Sequence, residues 1–291
     1  MRGKGLLAAG LVVTALAAFA GPAQGAVTIG SNLTPPAMMD NMPGCNNPGF
    51  TCTATNLSLP PANQAAGGLS SPVNGNVTSW RALANTADGL SLRVLRQVSG
   101  VTYQGLATSA VMNSASGDTG PVTTSLPVRI GDTIGLNSSN GRLIYGQTPG
   151  ASVAAWFFAP TGPLADGATR AADMTANNRE ALVQATIEPT NTLTFGTVTR
   201  NKKKGTAKVT MSVPNAGELI YSGNGLVISG PPKIAAAGDI KVGVKAFRRN
   251  REKLFRKGKL RVSFQVSFQP SFGSLRTTTE KLTLRKKLKR K

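Results

Sequence analysis

The stretch Leu260-Arg261-Val262-Ser263-Phe264-Gln265-Val266-Ser267-Phe268-Gln269 alternates apolar and polar side chains without a break. Successive side chains of an extended chain point to opposite faces, so this period places all five apolar side chains on one face. A strand of this kind packs one face on a core and leaves the other in water. The stretch therefore predicts antiparallel β-structure around it.

The same alternation recurs on both sides of this strand, within residues 191–291. Six further segments carry it: Leu193–Val198, Thr206–Val213, Glu218–Ser222, Leu226–Ser229, Ile240–Ala246 and Lys281–Arg285. Seven strands in about a hundred residues is the size of an immunoglobulin-like sandwich, here without the Cys-Trp-Cys core of antibody domains. We expect a basic immunoglobulin-like β-sandwich over residues 191–284 and a basic tail over residues 285–291.

Residues 71–190 show shorter strand patterns separated by turn residues. The clearest are Asn76–Ala84, Leu90–Leu95, Val122–Ile130 and Ala181–Glu188. Many short strands with Gly, Asn, Asp and Pro between them predict a jelly-roll-like sandwich, with a helical turn only at Asp173–Ala181. Residues 26–70 lack periodicity and are predicted to be irregular. The predicted fold class is all-β, with two β-sandwich domains, jelly-roll-like and then immunoglobulin-like.

Composition excludes several classes of chemistry. Of the 291 residues, 33 are Lys or Arg, 12 are Asp or Glu, and none is His. Without imidazole the chain cannot form a Ser-His-Asp or Cys-His catalytic site or a His-ligated zinc site. Its 2 cysteines cannot build an all-cysteine zinc site or hold an iron–sulfur cluster. We expect no cofactor and no metal.

The positive charge is concentrated in the last third of the chain. Residues 26–190 contain 7 basic and 8 acidic residues, a net charge of −1. Residues 191–291 contain 24 basic and 4 acidic residues, a net charge of +20. This shift places a domain boundary near Pro189-Thr190-Asn191.

The N-terminus has the pattern of a secretory signal over residues 1–25. Arg2 and Lys4 form a positive region, Leu6–Ala20 is apolar, and Ala23-Gln24-Gly25 offers small residues for cleavage. A membrane anchor is the alternative, but the apolar run is shorter than the ~20 residues of a spanning helix. We expect a secreted, extracellular protein with no transmembrane segment after cleavage, which associates with the cell envelope.

The two cysteines, Cys45 and Cys52, lie in a short turn-rich segment. Thiols oxidise outside the cytosol, and the spacing differs from the Cys-X-X-Cys of redox-active pairs. We therefore predict a structural disulfide between Cys45 and Cys52.

At this point the chain resembles a known group. A signal sequence, a short Cys loop, the segments Ser71–Arg81 and Leu126–Ile134, and a Lys-rich C-terminal sandwich follow one another in order. This order is similar to that of uncharacterised secreted β-sandwich proteins of high-G+C Gram-positive bacteria. The resemblance implies an extracellular, non-enzymatic protein with an immunoglobulin-like C-terminal domain, and it assigns no functional residue.

Two clusters of cations are the strongest functional candidates, supported by Lys202-Lys203-Lys204. The predicted polyanion-binding residues are Arg248, Arg249, Arg251, Lys253, Arg256, Lys257, Lys259, Arg285, Lys286, Lys287, Lys289, Arg290 and Lys291. The expected partners are anionic envelope polymers; a solubilising loop and a frayed tail are the alternative. Nucleic acid is disfavoured, because no aromatic residues for base stacking interleave with the cations. Phe247, Leu254 and Phe255 are predicted to fold inward.

Carboxylates and aromatic rings allow two further interpretations. Turn aspartates could hold calcium, but no Asp-X-Asp-X-Asp spacing occurs, so a metal site is predicted to be absent. No nucleophile motif occurs either, so a catalytic site is predicted to be absent. Rings of the first domain could stack on sugars; these are Trp80, Tyr103, Tyr145, Trp156, Phe157 and Phe158. The sequence thus favours a non-catalytic protein held at the envelope by its basic domain, with the first domain open to a glycan or protein. The alternatives are a carbohydrate-binding module protein and a secreted hydrolase.

Overall fold

The structure, a computed structural model, describes residues 25–36, 38–41, 51–84, 89–113, 117–139, 143–157 and 162–288. Over these residues the chain forms antiparallel sheets, and the described part contains a single α-helix. The predicted all-β sandwich fold is confirmed. No helix in these ranges has the length and apolar character needed to cross a bilayer.

The described residues before residue 190 form thirteen strands. In chain order they are β1 (Val27–Gly30), β2 (Met39–Asn41), β3 (Cys52–Ser58), β4 (Gly75–Ala84), β5 (Leu90–Ser99), β6 (Thr102–Thr108), β7 (Gly117–Asp118), β8 (Val122–Val128), β9 (Thr133–Ser138), β10 (Ile144–Trp156), β11 (Thr169–Ala171), β12 (Met174–Glu180) and β13 (Val183–Pro189). A 3₁₀ turn spans Pro61–Asn63.

These strands form two sheets that enclose one core, and we call this unit the N-terminal sandwich. The first sheet has the order β1-β13-β4-β7, with β8 also paired to β4. The second has the order β11-β6-β5-β9-β3-β10-β12, with β2 also paired to β10. Five and eight strands exceed the eight strands of a jelly roll. Trp80 from the first sheet and Leu92 from the second both lie in the shared core.

Two local predictions for this sandwich were wrong. The described part of residues 26–70 contains regular strands, since β1 lies at the edge of the first sheet and β3 lies inside the second, between β9 and β10. The predicted helical turn at Asp173–Ala181 is instead strand β12, paired with β10. In both segments the backbone pairs with strands distant in sequence, and a local pattern does not record such pairing.

The described residues after residue 190 form eight strands and the helix. They are β14 (Thr194–Asn201), β15 (Thr206–Val213), β16 (Gly217–Ser222), β17 (Leu226–Ser229), β18 (Lys233–Ile234), β19 (Gly238–Ala246), α1 (Arg249–Lys257), β20 (Lys259–Pro270) and β21 (Arg276–Arg285).

These strands form the C-terminal sandwich, whose sheets have the orders β14-β15-β19-β17 and β18-β16-β20-β21. In an immunoglobulin fold strands A-B-E-D face strands C-F-G, and the present orders follow that scheme, with α1 in the E–F connection. The alternation in β20 behaves as predicted. Phe264, Val266 and Phe268 are buried in the core, whereas Arg261 and Gln265 are exposed.

The two sandwiches are joined by reciprocal hydrogen bonds between two asparagines. The Asn74 backbone N–H donates to Asn215 Oδ1 at 2.7 Å, and Asn215 Nδ2 donates to the carbonyls of Asn74 and Thr190 at 2.9 and 2.8 Å. Asn215 is only 1% exposed. Phe272 of the C-terminal sandwich packs against the N-terminal core. In the described residues each sandwich therefore has its own main core, and a small, specific contact joins the two sandwiches.

Candidate polyanion-binding site

Three basic segments that are far apart in sequence lie together at one end of the C-terminal sandwich. They are the β14–β15 turn at Lys202–Lys204, the helical segment Arg248–Lys259, and the chain after β21 at Arg285–Leu288. We call this region the basic end. Its lysines and arginines are all exposed, except Lys286, which is half-buried.

Backbone hydrogen bonds hold the three segments to one another. The Lys287 N–H donates to the Lys202 carbonyl, and the Lys286 N–H donates to the Gly258 carbonyl, both at 2.7 Å. The Lys286 ammonium also donates to the Lys203 carbonyl at 2.6 Å. All three hydrogen bonds end on backbone carbonyl groups, and the Lys286 ammonium is the one cationic group that they use. The other cationic side chains therefore remain free to face solvent. The sequence placed these residues in separate clusters, and the fold makes them one surface.

The helix α1 was not predicted, since the sequence pattern indicated a basic loop. Leu254 is 1% exposed and anchors α1 on the core, close to Gly205. Arg256 and Lys257 lie in the last turn, where cations interact favourably with the helix dipole. Gly258 ends the helix at φ +73°, and its N–H donates to the Leu254 carbonyl.

The inward packing predicted for three apolar residues holds for one of them. Leu254 is buried as predicted, but Phe247 is 44% exposed and Phe255 is 42% exposed. Two of the three predicted anchors were therefore wrong. The helix α1 buries only the face that carries Leu254, which leaves the neighbouring Phe255 exposed, and Phe247 lies before the helix begins. The two rings lie among cations instead of in the interior.

The predicted polyanion-binding residues mostly fall on this surface. Those from Arg248 to Lys259 lie on or beside α1, and Arg285, Lys286 and Lys287 end β21 or follow it. Lys289, Arg290 and Lys291 lie outside the described residues.

Carboxylates do not neutralise the basic end. Within residues 193–288 the structure contains one ion pair, Lys233–Glu218 at 3.3 Å, and both of its side chains are strongly exposed. Glu252 lies in the first turn of α1, where it favours the helix dipole, and it forms no ion pair. The cations of the basic end therefore repel one another with little internal compensation.

Two shallow clefts extend the basic surface along the side of the sandwich. One, of about 490 Å³, lies over the paired strands β20 and β21, and its lining includes Arg261 and Lys281. The other, of about 700 Å³, is lined by Lys202–Lys204 and Lys208. Arg200 lines both clefts and donates from Nε to the Thr283 carbonyl at 2.9 Å. Because Arg200 lines both clefts, they are neighbours on this surface, and we call the pair the basic trough.

The turn aspartates of the N-terminal sandwich have arginine partners. Ion pairs join Arg81 to Asp118, Arg93 to Asp166, Arg96 to Asp132, and Arg170 to Asp173. The described residues contain no cluster of metal-ligating side chains. Asp88 lies outside these residues.

The pairs lie in different environments, so the pKa shifts of their members have different causes. The hydrogen bond from Arg81 lowers the pKa of the Asp118 carboxyl. Burial lowers the pKa of Arg93, which is 4% exposed, and the nearby Asp166 charge opposes that shift. In each case the arginine charge is paired with an aspartate of the same sandwich.

Sequence reasoning missed a buried carboxylate, Glu180, which is 0% exposed. Its oxygens accept hydrogen bonds from Ser31 Oγ at 2.5 Å, Thr148 Oγ1 at 2.7 Å and Asn63 Nδ2 at 3.3 Å. The donors come from three distant parts of the chain, so no local sequence motif predicts this hydrogen-bonded site. Enclosed by these donors, Glu180 ties the N-terminal segment to β12.

The rings considered for sugar stacking are core residues. Exposed fractions are 1% for Trp80, 3% for Tyr103, 2% for Tyr145, 0% for Trp156 and 8% for Phe157. Tyr103 and Trp156 meet edge to face, 5.5 Å apart, on the far side of the eight-stranded sheet. Phe158 lies outside the described residues.

The disulfide and the signal sequence fall mainly on residues that the structure does not describe. Cys52 begins β3, is fully buried, and is not a free thiol. Cys45 and residues 1–24 lie outside the described ranges, so the bridge and the signal sequence stay predictions.

Comparison with protein families, with curated proteins and with solved structures finds no match to this chain.

Proposed function

We propose that this protein is a secreted, non-catalytic binding protein that associates with the anionic cell envelope through its basic end. One observation carries the proposal: three basic segments from distant parts of the chain form one exposed surface whose cations lack carboxylate partners. The proposal includes removal of residues 1–25 on secretion and a disulfide between Cys45 and Cys52.

The argument rests on the cost of unpaired charge. Like charges on one small sandwich repel one another and destabilise the folded state. Neutralising the same positions would relieve that repulsion without disturbing the core, since the side chains are exposed. An anionic partner offsets the repulsion, and it gains further free energy when the counterions of a polyanion are released.

The trough along β14, β20 and β21 supports a linear polymer as the ligand. Arg200 lines both of its clefts, and Arg261, Lys281 and Lys208 line them beside the lysine turn. Regularly spaced phosphates or carboxylates of an envelope polymer would contact several of these cations at once. The glycan-stacking alternative has less support, because the described rings of the N-terminal sandwich are buried.

The test is binding of residues 26–291 to purified cell envelopes across a salt series, beside duplex DNA and a neutral polysaccharide. We expect envelope binding to fall steeply with salt, to exceed DNA binding at equal ionic strength, and to exceed polysaccharide binding throughout. Absence of envelope binding at low salt would remove the proposal.

A matched pair of variants tests whether the basic end is responsible. Lys202→Gln/Lys203→Gln/Lys204→Gln removes three charges from the basic end. Lys233→Gln/Lys241→Gln/Arg276→Gln removes the same number of charges from elsewhere in the C-terminal sandwich. We expect the first variant to weaken envelope binding roughly tenfold more than the second at low salt. Equal losses would indicate unspecific charge attraction.

A further inference from the structure

The exposed aromatic side chains of this protein are concentrated at the basic end. Among the aromatic residues that the structure describes, the strongly exposed ones are Phe247 and Phe255. Both belong to the segment with the densest positive charge. Leu288, which is 46% exposed, lies beside Gly258 at the end of α1 and adds a third exposed apolar side chain.

The two rings share one cleft and are bordered by cations. The cleft, of about 410 Å³, is lined by Phe247, Arg248, Arg251, Glu252 and Phe255. The Arg248 guanidinium lies 5.1 Å from the centre of the Phe247 ring. The Arg251 guanidinium and the Lys286 ammonium lie 5.3 and 5.0 Å from the centre of the Phe255 ring.

A surface that binds a phosphate or carboxylate polymer needs cations, and it does not need exposed aromatic rings beside them. Cations alone bind such a polymer, and a phenyl ring has no hydrogen-bond donor to offer it. Exposed rings gain free energy when they leave water, and cations gain it when they meet anions. The surface of an anionic bilayer satisfies both, because headgroup charge and apolar chains lie within a few ångströms of each other.

We infer that the basic end binds the surface of an anionic phospholipid bilayer, with Phe247 and Phe255 entering the interface below the headgroups. This inference rests on the proposed envelope association, and it adds phospholipid to the anionic polymer as a second component that the basic end binds. Arg248, Arg251 and Lys286 contact the lipid phosphates beside the two rings.

The first experiment separates the rings from the charges. Residues 26–291 are mixed with vesicles of phosphatidylcholine containing roughly 30 mol % phosphatidylglycerol, and separately with inorganic polyphosphate and with oligo(dT). Phe247→Ser/Phe255→Ser is compared with Ile220→Ser/Val227→Ser, which alters two exposed apolar residues elsewhere in the same sandwich. We expect the phenylalanine variant to lose vesicle binding roughly ten- to a hundredfold and to keep its polyphosphate binding. The control variant should keep both.

Contrary outcomes identify which proposal fails. Polyphosphate binding by the unaltered protein without vesicle binding overturns the lipid inference and leaves the envelope proposal standing. Absence of binding to either overturns both. Loss of oligo(dT) binding with vesicle binding unchanged would assign the rings to base stacking and overturn the inference.

A second variant reports insertion directly. The natural tryptophans are buried, with Trp80 1% and Trp156 0% exposed, so Phe255→Trp adds an indole in a different environment. We expect its emission to shift to shorter wavelength on vesicles and to be quenched by lipids brominated on their acyl chains. Vesicle binding with unchanged emission would show that charge alone holds the protein, and the inference would fail.

Discussion

In the N-terminal sandwich four arginines form ion pairs with aspartates, whereas the described part of the C-terminal sandwich has many more cations and one ion pair, Lys233–Glu218. The basic residues also differ in kind. Residues 26–190 contain arginine and no lysine, and lysine predominates at the Lys202–Lys204 turn and beyond the end of β21. Arginine forms two parallel hydrogen bonds to a carboxylate, and lysine presents a strongly hydrated point charge.

The difference separates two uses of charge. Ion pairs such as Arg96–Asp132 are satisfied within the fold, and their removal is expected to destabilise the N-terminal sandwich. Cations of the basic end have no carboxylate partner among the described residues, and their removal is expected to relieve repulsion and to weaken binding. Stability measurements on matched variants can break or sharpen this comparison.

The largest effect is expected at Glu180. Glu180→Ala leaves the buried donors of Ser31 and Thr148 without an acceptor and opens a cavity, which should cost about 4 kcal/mol of unfolding free energy. Urea unfolding followed by tryptophan fluorescence measures this, since Trp80 and Trp156 both lie in the N-terminal sandwich. Glu188→Ala, at an exposed glutamate of the same sandwich, should change stability by less than about 0.5 kcal/mol. A similar small loss for Glu180→Ala would contradict its structural role.

Ion-pair removal should have unequal effects in the two sandwiches. Asp132 is 1% exposed and accepts hydrogen bonds from Arg96 Nε at 2.8 Å, Arg96 Nη2 at 3.0 Å and the Arg129 N–H at 2.7 Å. Asp132→Ala should cost about 3 kcal/mol, because it leaves the partly buried guanidinium unpaired. Glu218→Ala, which removes the exposed partner of Lys233, should cost about 0.5 kcal/mol or less. Equal costs in thermal unfolding would break the comparison.

Alkaline pH should destabilise the C-terminal sandwich through Tyr221. Burial raises the pKa of Tyr221 to about 12, and its hydroxyl donates to the Pro231 carbonyl at 2.9 Å. Since an unfolded tyrosine has a pKa of about 10, this contribution is complete below pH ~10 and is lost as the pH rises to ~12. The loss is at most about 3 kcal/mol, and less where the ring edge meets solvent.

Tyr221→Phe provides the comparison. The variant should lose less stability than the unaltered protein between pH ~9 and ~11 in unfolding followed by circular dichroism. In an absorbance titration, the variant should lack the tyrosine that ionises at the highest pH in the unaltered protein. Identical pH profiles would show that Tyr221 is not buried as described.

Backbone strain at Arg248 should couple stability to binding. Arg248 has φ +47° at the start of α1, a conformation that favours glycine. Arg248→Gly should stabilise the sandwich by about 1 kcal/mol and weaken anion binding a few-fold, because it relieves strain and removes a cation. Arg248→Ala removes the same cation and keeps the strain, so it should weaken binding equally without the gain. Equal melting temperatures for the two variants would exclude strain.

The smallest change in stability is expected when the mutually repelling charges of the lysine turn are removed. Lys202→Gln/Lys203→Gln/Lys204→Gln should raise stability by about 0.5 kcal/mol at low salt, with the gain disappearing near 1 M salt as repulsion is screened. Lys233→Gln/Lys241→Gln/Arg276→Gln, which also breaks the Lys233–Glu218 pair, should gain less. A loss of stability on neutralising the turn would mean that these charges are satisfied within the fold.

Much of the C-terminal sandwich could be predicted from sequence, because its strands are amphipathic. The period-2 pattern at Leu260–Phe268 reports which side chains face the core, and burial forces that pattern on the sequence. The N-terminal segment was harder, since β3 lies inside a sheet with both faces covered and shows no alternation. Trp80 and Trp156 are buried. The sequence pattern around them was compatible with either a buried or an exposed ring.

The helix α1 shows why the site was only partly predictable. Nine residues are too few for a stable isolated helix, so its formation depends on the burial of Leu254 against the sandwich. The same docking determines that Phe247 and Phe255 remain exposed. From their apolar character alone, the sequence predicted that both rings would be buried.

The sequence by itself determined the β-rich fold, the near-neutral first part and the concentration of positive charge after residue 191. Those properties are local: they depend on side-chain period and on the count of charged residues along the chain. Only the tertiary structure decided that Lys202–Lys204, α1 and the chain after β21 meet at one end. Strand pairing brings residues together that are more than 80 positions apart, as in the bond from the Lys287 N–H to the Lys202 carbonyl. A one-dimensional pattern contains no record of such pairing, because many registers and neighbours satisfy the same alternation.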